Sequence, residues 1–419
     1  MSQTLGKLLL VVGVLIVGSV GLWRWILFPA HVSHPVPDPR RETLQTAWCG
    51  PGSSQGPFFP DTYDAYLEHL QARFSEIRAR WPKAAWRSVP LYPEEDLDLV
   101  WIEARAAQPA RALVLTAGVH GIEGYGGAAM IDIFLSHFLD TLDPQNTSLY
   151  IIPVVNPWGM RHFRRVNKAN VDLNRNFVPS ESELSHRWNP DYEKLYPFLN
   201  PTRPVAWGDR YLFSLRVTRV MIEQGPETLR VAGFSGQYRF PEGVAFGGQK
   251  WQPETHAMMD LLTEIRRRHS RTLLLDMHTG YGERGQLLMI FPAQESRSED
   301  TLRDLFAYPH LAKISTRALY PIRGDMTSWF VQGDGKEDMG ITFEVGTYGK
   351  KVTAQLRSLR ALVVENQFYH HGATHPAVAQ WVAEEYCGLF YPDDPAWREA
   401  LTQQTRAAFH SVLPWLQGE

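Results

Sequence analysis

Two hydrophobic rhythms organise most of the chain. Residues 61–81, DTYDAYLEHLQARFSEIRARW, carry apolar positions at helical spacing. Residues 97–106 alternate as a half-buried strand does, and 111–120, RALVLTAGVH, form a β-rich run closed by Gly118-Val119-His120. Residues 124–139 return to a helical pattern, and 148–157 make another buried strand. An amphipathic helix is predicted over 253–269, where Arg266, Arg267 and Arg268 fall in the last turn and suit its dipole. Strands follow over 271–278, 286–292 and 339–347, then a long helix over 352–371 and helices through most of 375–417. Strands alternating with helices predict an α/β fold around a largely covered sheet. There is no internal repeat and no low-complexity tract.

The N-terminus follows a different rule. Leu8 to Leu22 is an unbroken apolar run after Lys7, and Trp25-Ile26-Leu27-Phe28 resumes it beyond Arg24. A helix over residues 8–28 would be roughly 30 Å long, enough to cross a bilayer. Trp23 and Trp25 suit an interface, and Arg24 can snorkel. An uncleaved anchor over 1–28 is the preferred reading. The alternative is a signal peptide cut near Ser19-Val20-Gly21. Either way the rest of the chain is expected across the membrane: an anchored domain on the outer, periplasmic side, or a secreted or periplasmic one. Residues 29–60 are rich in Pro, Gly and Ser and read as a linker, with the folded domain at 61–419.

The chain has 419 residues, with 42 Lys and Arg against 45 Asp and Glu, a net charge of −3. Disorder, a collagen-like fibre and bulk-charge binding to nucleic acid are all excluded. Its two cysteines, Cys49 and Cys387, are too few for a disulfide scaffold or a thiolate-rich metal site. They either pair in an oxidising compartment or are unrelated thiols.

Polar residues at the ends of apolar strands carry the chemistry. His120 and Glu123 flank a Gly-rich strand-to-helix turn, where both can face one point. His278, in Asp276-Met277-His278, could add a third ligand from a separate strand, which leaves an open position on a catalytic zinc. Glu344 lies inside an apolar strand, a costly place for an unpaired carboxylate and a natural one for a general base. Between residues 156 and 177, Arg161, Arg164, Arg165, Lys168 and Arg175 are interleaved with Asn. That mixture suits a carboxylate or a developing oxyanion. Gly233-Phe234-Ser235-Gly236-Gln237 looks like a nucleophile elbow, but Gln237 stands where the last glycine is needed, so a pocket-shaping loop is expected.

The ordered set GVHGIEG, NPWG, RRVN, NVDLNRNF, DMHTG and EVGTYG resembles the zinc carboxypeptidase (M14-like) superfamily, and within it the DUF2817 branch of bacterial metallopeptidases. The resemblance spans roughly residues 60 to 370. It implies a three-layer α/β/α sandwich around a mixed, mostly parallel eight-stranded sheet. It implies one zinc per chain on His120, Glu123 and His278, with Asp172 orienting His120. Asn174 and Arg175 match the pair that holds a substrate carboxylate. Arg165 matches the arginine that polarises the scissile carbonyl, with Arg164 as runner-up, and Glu344 matches the general base. The substrate-capping tyrosine has no clear counterpart; Tyr320, Tyr281 and Tyr238 are unranked candidates. The expected activity is zinc-dependent hydrolysis of amide bonds by a membrane-tethered metallo-carboxypeptidase. The alternatives are an acyl-amino-acid deacylase of the aspartoacylase or succinylglutamate desuccinylase kind, and an inactive metal-bearing binding module. The partners expected are a peptide or acyl-amino-acid substrate with a carboxylate, the lipid bilayer through residues 8–28, and no nucleic acid.

Overall fold

A computed structural model of the protein describes residues 57–185, 188–314, 322–332 and 337–418. The anchor, most of the linker, Cys49 and Tyr320 lie outside them. Along the chain run helix α1 (Tyr63–Arg80), strands β1 (Ala85–Tyr92), β2 (Leu97–Ala104) and β3 (Arg111–Ala117), α2 (Gly124–His137), β4 (Thr147–Ile152) and α3 (Pro157–Arg161). A helical stretch follows: α4 (Tyr192–Leu199), α5 (Trp207–Tyr211), α6 (Phe213–Gln224), α7 (Pro226–Phe234) and α8 (Pro253–Arg268). Then come β5 (Arg271–Gly280), β6 (Leu287–Phe291), α9 (Glu299–Phe306), β7 (Leu311–Lys313), α10 (Met326–Phe330) and β8 (Glu337–Gly346). Helices α11 (Val352–His371), α12 (Pro376–Phe390) and α13 (Pro395–Gln417) end the described chain.

The eight strands form one sheet in the order β1-β2-β4-β3-β5-β8-β6-β7. Four of the seven pairings are parallel and three antiparallel, the mixed sheet that was expected. β3 and β4 are buried almost throughout, which is why they read as continuous apolar runs. Alternation along β5 and β8 separates two faces. Met277 and Phe343 point one way, where Gly127 of α2 meets Met277 and the ring of Phe409 of α13 packs edge-on 5.6 Å from Phe343. Asp276, His278, Thr342 and Glu344 point the other way, on the face that carries α10 against Gly340.

Three features depart from the pattern reading. β1 is an exposed edge strand containing Pro90, so it lacks the alternation that marks a strand. Helices α4, α6 and α7 build a small core of their own, including Tyr192, Leu195 and Phe213, against Leu359 and Val363 of α11. The domain also begins before residue 61. Phe58 stacks on His69 at 3.9 Å, Phe59 is buried, and Tyr391 donates to the carbonyl of Pro60 at 3.1 Å. The last residues assigned to the linker are therefore packed. Cys387 is buried on α12 and disulfide-bonded. Among the described residues no helix is long and apolar enough to cross a membrane.

Candidate functional site

The parallel strands β3, β5 and β8 end side by side, and their register sets the site. Thr116, Asp276 and Thr342 form one row across the sheet, and His278 lies beside Glu344 in the next. After β3 the chain enters a tight turn, Gly121–Glu123, that leads into α2. A Cβ at Gly121 would fall 2.1 Å from the carbonyl carbon of Gly159, so only glycine lets this turn press against α3. That approach brings Glu123 back toward its neighbour His120.

His120, Glu123 and His278 then converge, each offering a ligand atom, with all three atoms within 4.8 Å of one another. The Nδ1 atoms of His120 and His278 stand 2.8 and 2.7 Å from the two oxygens of Glu123. The opposite ring nitrogens are held from behind. His120 Nε2 lies 3.1 Å from Asp172, and His278 Nε2 lies 2.7 Å from Asp276, which also accepts from Thr116 at 2.7 Å. Carboxylates behind Nε2 leave both Nδ1 lone pairs facing inward. His120 Nδ1 is buried and, despite its closeness to Glu123, lacks the geometry of a hydrogen bond. An orphaned imidazole nitrogen among nitrogen and oxygen donors fits a divalent metal, and the donor set suits zinc.

The electrostatics agree. Burial alone would raise the pKa of Glu123, but His120 and His278 outweigh it and hold the carboxyl well below its usual range. Burial alone would lower His278, yet Asp276 and Glu123 hold it well above the usual imidazole value. Burial raises Asp172 as well, and Arg165, Arg175 and His120 overcome it. Glu344 is pushed up to about 8, by burial first and by the Glu123 carboxylate second, while Tyr281 N donates to it at 2.8 Å. A cation among the three ligands would offset Glu123 and return Glu344 to its carboxylate form.

These groups open into a cavity of about 430 Å³. Asn174, Arg175, Tyr281, Glu344 and the arginines 164 and 165 line it. Arg165 ion-pairs with Asp172, and its Nε lies 3.8 Å from Glu123. Arg175 is buried, donates to the carbonyls of Asn174 and Phe234 at 2.8 and 2.9 Å, and has no carboxylate within ion-pair distance among the described residues. Gly236, at φ +85°, packs against its side chain, where a Cβ would fall 2.6 Å from Cδ. The 233–237 loop thus shapes the pocket around Arg175, as expected.

A family model described as a protein of unknown function, DUF2817, matches residues 66–404. The chain belongs to the DUF2817 family. Murein peptide amidase A of Escherichia coli (strain K12) is 37% identical over 99 residues, which are 23% of this chain and 38% of that relative's length. Its counterpart in Escherichia coli O157:H7 matches to the same extent. Among solved structures, bovine thrombin-activatable fibrinolysis inhibitor bound to tick carboxypeptidase inhibitor is similar at 17% identity and TM-score 0.41, covering 76% of this chain and 98% of that one. Carboxypeptidase A of Helicoverpa armigera is similar at 14% identity and TM-score 0.40, covering 81% and 73%.

In this DUF2817 protein the residues expected to hold a metal, together with Asp172, Glu344, Arg165, Asn174 and Arg175, do meet around one cavity. Arg164 lines the cavity too. Its guanidinium is bound to Glu365 at 2.8 Å and lies 3.5 Å over the Tyr369 ring, so it braces the cavity wall, while its Nη1 has no hydrogen-bond partner among the described residues. Tyr238 is buried and donates to the Arg175 carbonyl at 2.7 Å, which makes it a support; Tyr281 does line the cavity. Sequence reasoning gave Asp276 no role, although its position two before His278 on the same strand face was a usable signal.

Because His278 holds its proton until well above the ordinary imidazole range, zinc must displace that proton. Zinc binding to the metal-free protein should release between one and two protons near pH 7, one from His278 and most of another from Glu344, and should weaken as pH falls. Calorimetry in two buffers of different ionisation enthalpy measures this. Proton release near zero would contradict the assignment of His278.

Proposed function

We propose that this protein is a zinc-dependent hydrolase of amide bonds, a metallo-carboxypeptidase-like enzyme acting on peptides that carry a free carboxylate. The observation that carries the reading is the His120–Glu123–His278 cluster sharing one cavity with Glu344 and with Arg175, a buried cation lacking an ion-pair partner among the described residues. When bound, zinc supplies a Lewis acid and acidifies water for attack. Glu344 lies beside His278 in the strand register, placed to take the proton from the attacking water and return it to the leaving amine. Arg165, over the cluster and steadied by Asp172, faces the carbonyl oxygen as negative charge develops. Arg175 and Asn174 grip the substrate carboxylate, which fixes which amide reaches the metal. The relative named murein peptide amidase A supports peptides of that class as the first substrates to try.

Glu344→Gln keeps the shape but accepts no proton. Its kcat should fall by at least ~10²-fold with zinc content retained. A near-normal kcat would move the base elsewhere.

Arg175→Met should lose about 10- to 150-fold in kcat/KM on a peptide with a free carboxylate, and little on the same peptide amidated. Equal losses on both would make Arg175 a brace for its loop. Turnover of N-acyl amino acids, with peptides untouched, would move the chain to the deacylase reading.

We further propose that residues 8–28 tether the domain outside the cytoplasm. The disulfide at Cys387 supports an oxidising compartment. Full-length protein should stay with membranes through an alkaline wash and keep its N-terminus near Met1. A mature chain starting near Leu22 would establish a cleaved signal peptide instead.

A further inference from the structure

Helix α6 is apolar on two sides. Phe213 and Val217 turn inward, into the small core shared with α4 and α7. Leu215 and Ile222 lie seven residues apart, two turns along the helix, and share its outer face with Thr218 and Arg219. They are 64% and 80% exposed, and Tyr211 of α5, just before them, is 70% exposed. Trp207 of α5 and Met221 of α6 are exposed too. The other strongly exposed large apolar side chains among the described residues, Val89, Leu305 and Val352, lie singly on three other elements. A surface helix needs one apolar face to pack on its domain, so the second face of α6 is left without a partner among the described residues.

The charge around this face is one-sided. Residues 203–224 carry Arg203, Arg210, Arg216 and Arg219 against Asp209 and Glu223. Asp209 is buried and pairs with both Arg203 and Arg216, and Arg219 pairs with Glu223 at 2.7 Å. Arg210 meets aromatic rings and, among the described residues, no carboxylate. Its guanidinium lies 5.7, 5.6 and 5.6 Å from the rings of Trp207, Tyr211 and Trp381. An arginine set among Trp and Tyr, beside protruding aliphatic side chains, is the mixture that suits a lipid headgroup layer and the acyl chains beneath it.

The place of the face fits the same partner. Trp207 packs 6.3 Å from Trp381 of α12. Just past the end of α12, Tyr391 donates to the carbonyl of Pro60, where the chain enters the fold. From Trp381 to Tyr391 a helix rises about 15 Å. Residues 29–56 lie between the apolar run ending at Phe28 and the first described residue. A random coil of that many residues averages about 30 Å end to end.

Building on the tether reading above, we propose that α5 and the outer face of α6 rest on an anionic phospholipid bilayer. Leu215 and Ile222 enter the boundary of the acyl chains, Trp207 and Tyr211 sit at headgroup level, and Arg210 meets lipid phosphate. α7 shares its small core with α6 and ends at Gly233 and Phe234 in the cavity wall, so the same contact sets how the cavity faces the membrane.

The test is photo-crosslinking of the full-length protein in vesicles of phosphatidylglycerol that carries a diazirine on its acyl chain, read by mass spectrometry of the labelled peptides. Adducts are expected on residues 207–224 as well as on 8–28. Leu215→Ser combined with Ile222→Ser should cut the adducts on 207–224 at least ~10-fold, the scale of two aliphatic side chains withdrawn from an apolar medium. The melting temperature should hold, because both side chains are exposed. Phosphatidylcholine with the same label should give about five-fold fewer adducts there, the scale of one basic side chain at an anionic surface, and Arg210→Gln should do the same. Adducts on 8–28 alone would overturn the docking face and leave the tether standing. Adducts on 207–224 alone would keep the face and remove the tether. Adducts that persist in the double variant, or that are equal from the two lipids, would overturn the proposal. A dimer in sedimentation that the double variant loses, with no adducts on 207–224, would assign the face to a second copy of the chain instead.

Discussion

Four carboxylates, those of Glu123, Asp172, Asp276 and Glu344, surround two imidazoles at a site almost closed to water. Like charges so close in a low-dielectric setting repel strongly, and the local hydrogen bonds do not remove that repulsion. Arg165 answers Asp172 directly. The rest needs a cation. Without a metal, a proton on His278 fills that need, and the pKa of Glu344 is raised by burial first and by the Glu123 carboxylate second. A divalent ion at the Nδ1 atoms and Glu123 answers the same demand. Acid–base readiness and metal affinity are thus two results of one electrostatic constraint.

The sheet makes the crowding possible. β3, β5 and β8 run parallel and stop at the same edge, so groups distant in sequence end in two short rows. Their other face is filled by α2 and α13, which fix the strands from behind. Hydrogen bonds between buried carboxylates and imidazoles then hold the ligands by their far nitrogens. The Arg175 loop is set by separate means, a glycine at positive φ, a buried tyrosine and two backbone carbonyls. The pocket for the carboxylate is therefore built apart from the metal cluster and joined to it through Asp172 and Asn174.

Much of this was legible in the sequence, and what was not has physical reasons. Strands buried on both faces are long apolar runs, so a polar residue inside one, such as Glu344 or His278, stands out. β1 did not, because an exposed edge strand can hold Arg87, Ser88 and Pro90 without alternation. Helices α4, α6 and α7 form a small local core whose apolar spacing is broken by Pro197, Gly225 and Pro226. Arg164 and Arg165 are neighbours of the same type, and only the fold shows that Glu365, 201 residues away, takes the first.

The central claim is that one zinc binds through His120, Glu123 and His278. Anomalous scattering at the zinc edge from crystals of the zinc-loaded protein tests it most directly. The account predicts one strong peak per chain, about 2.0–2.2 Å from the Nδ1 atoms of His120 and His278 and from a Glu123 oxygen. A zinc peak elsewhere, or none between these side chains under zinc saturation, would contradict it.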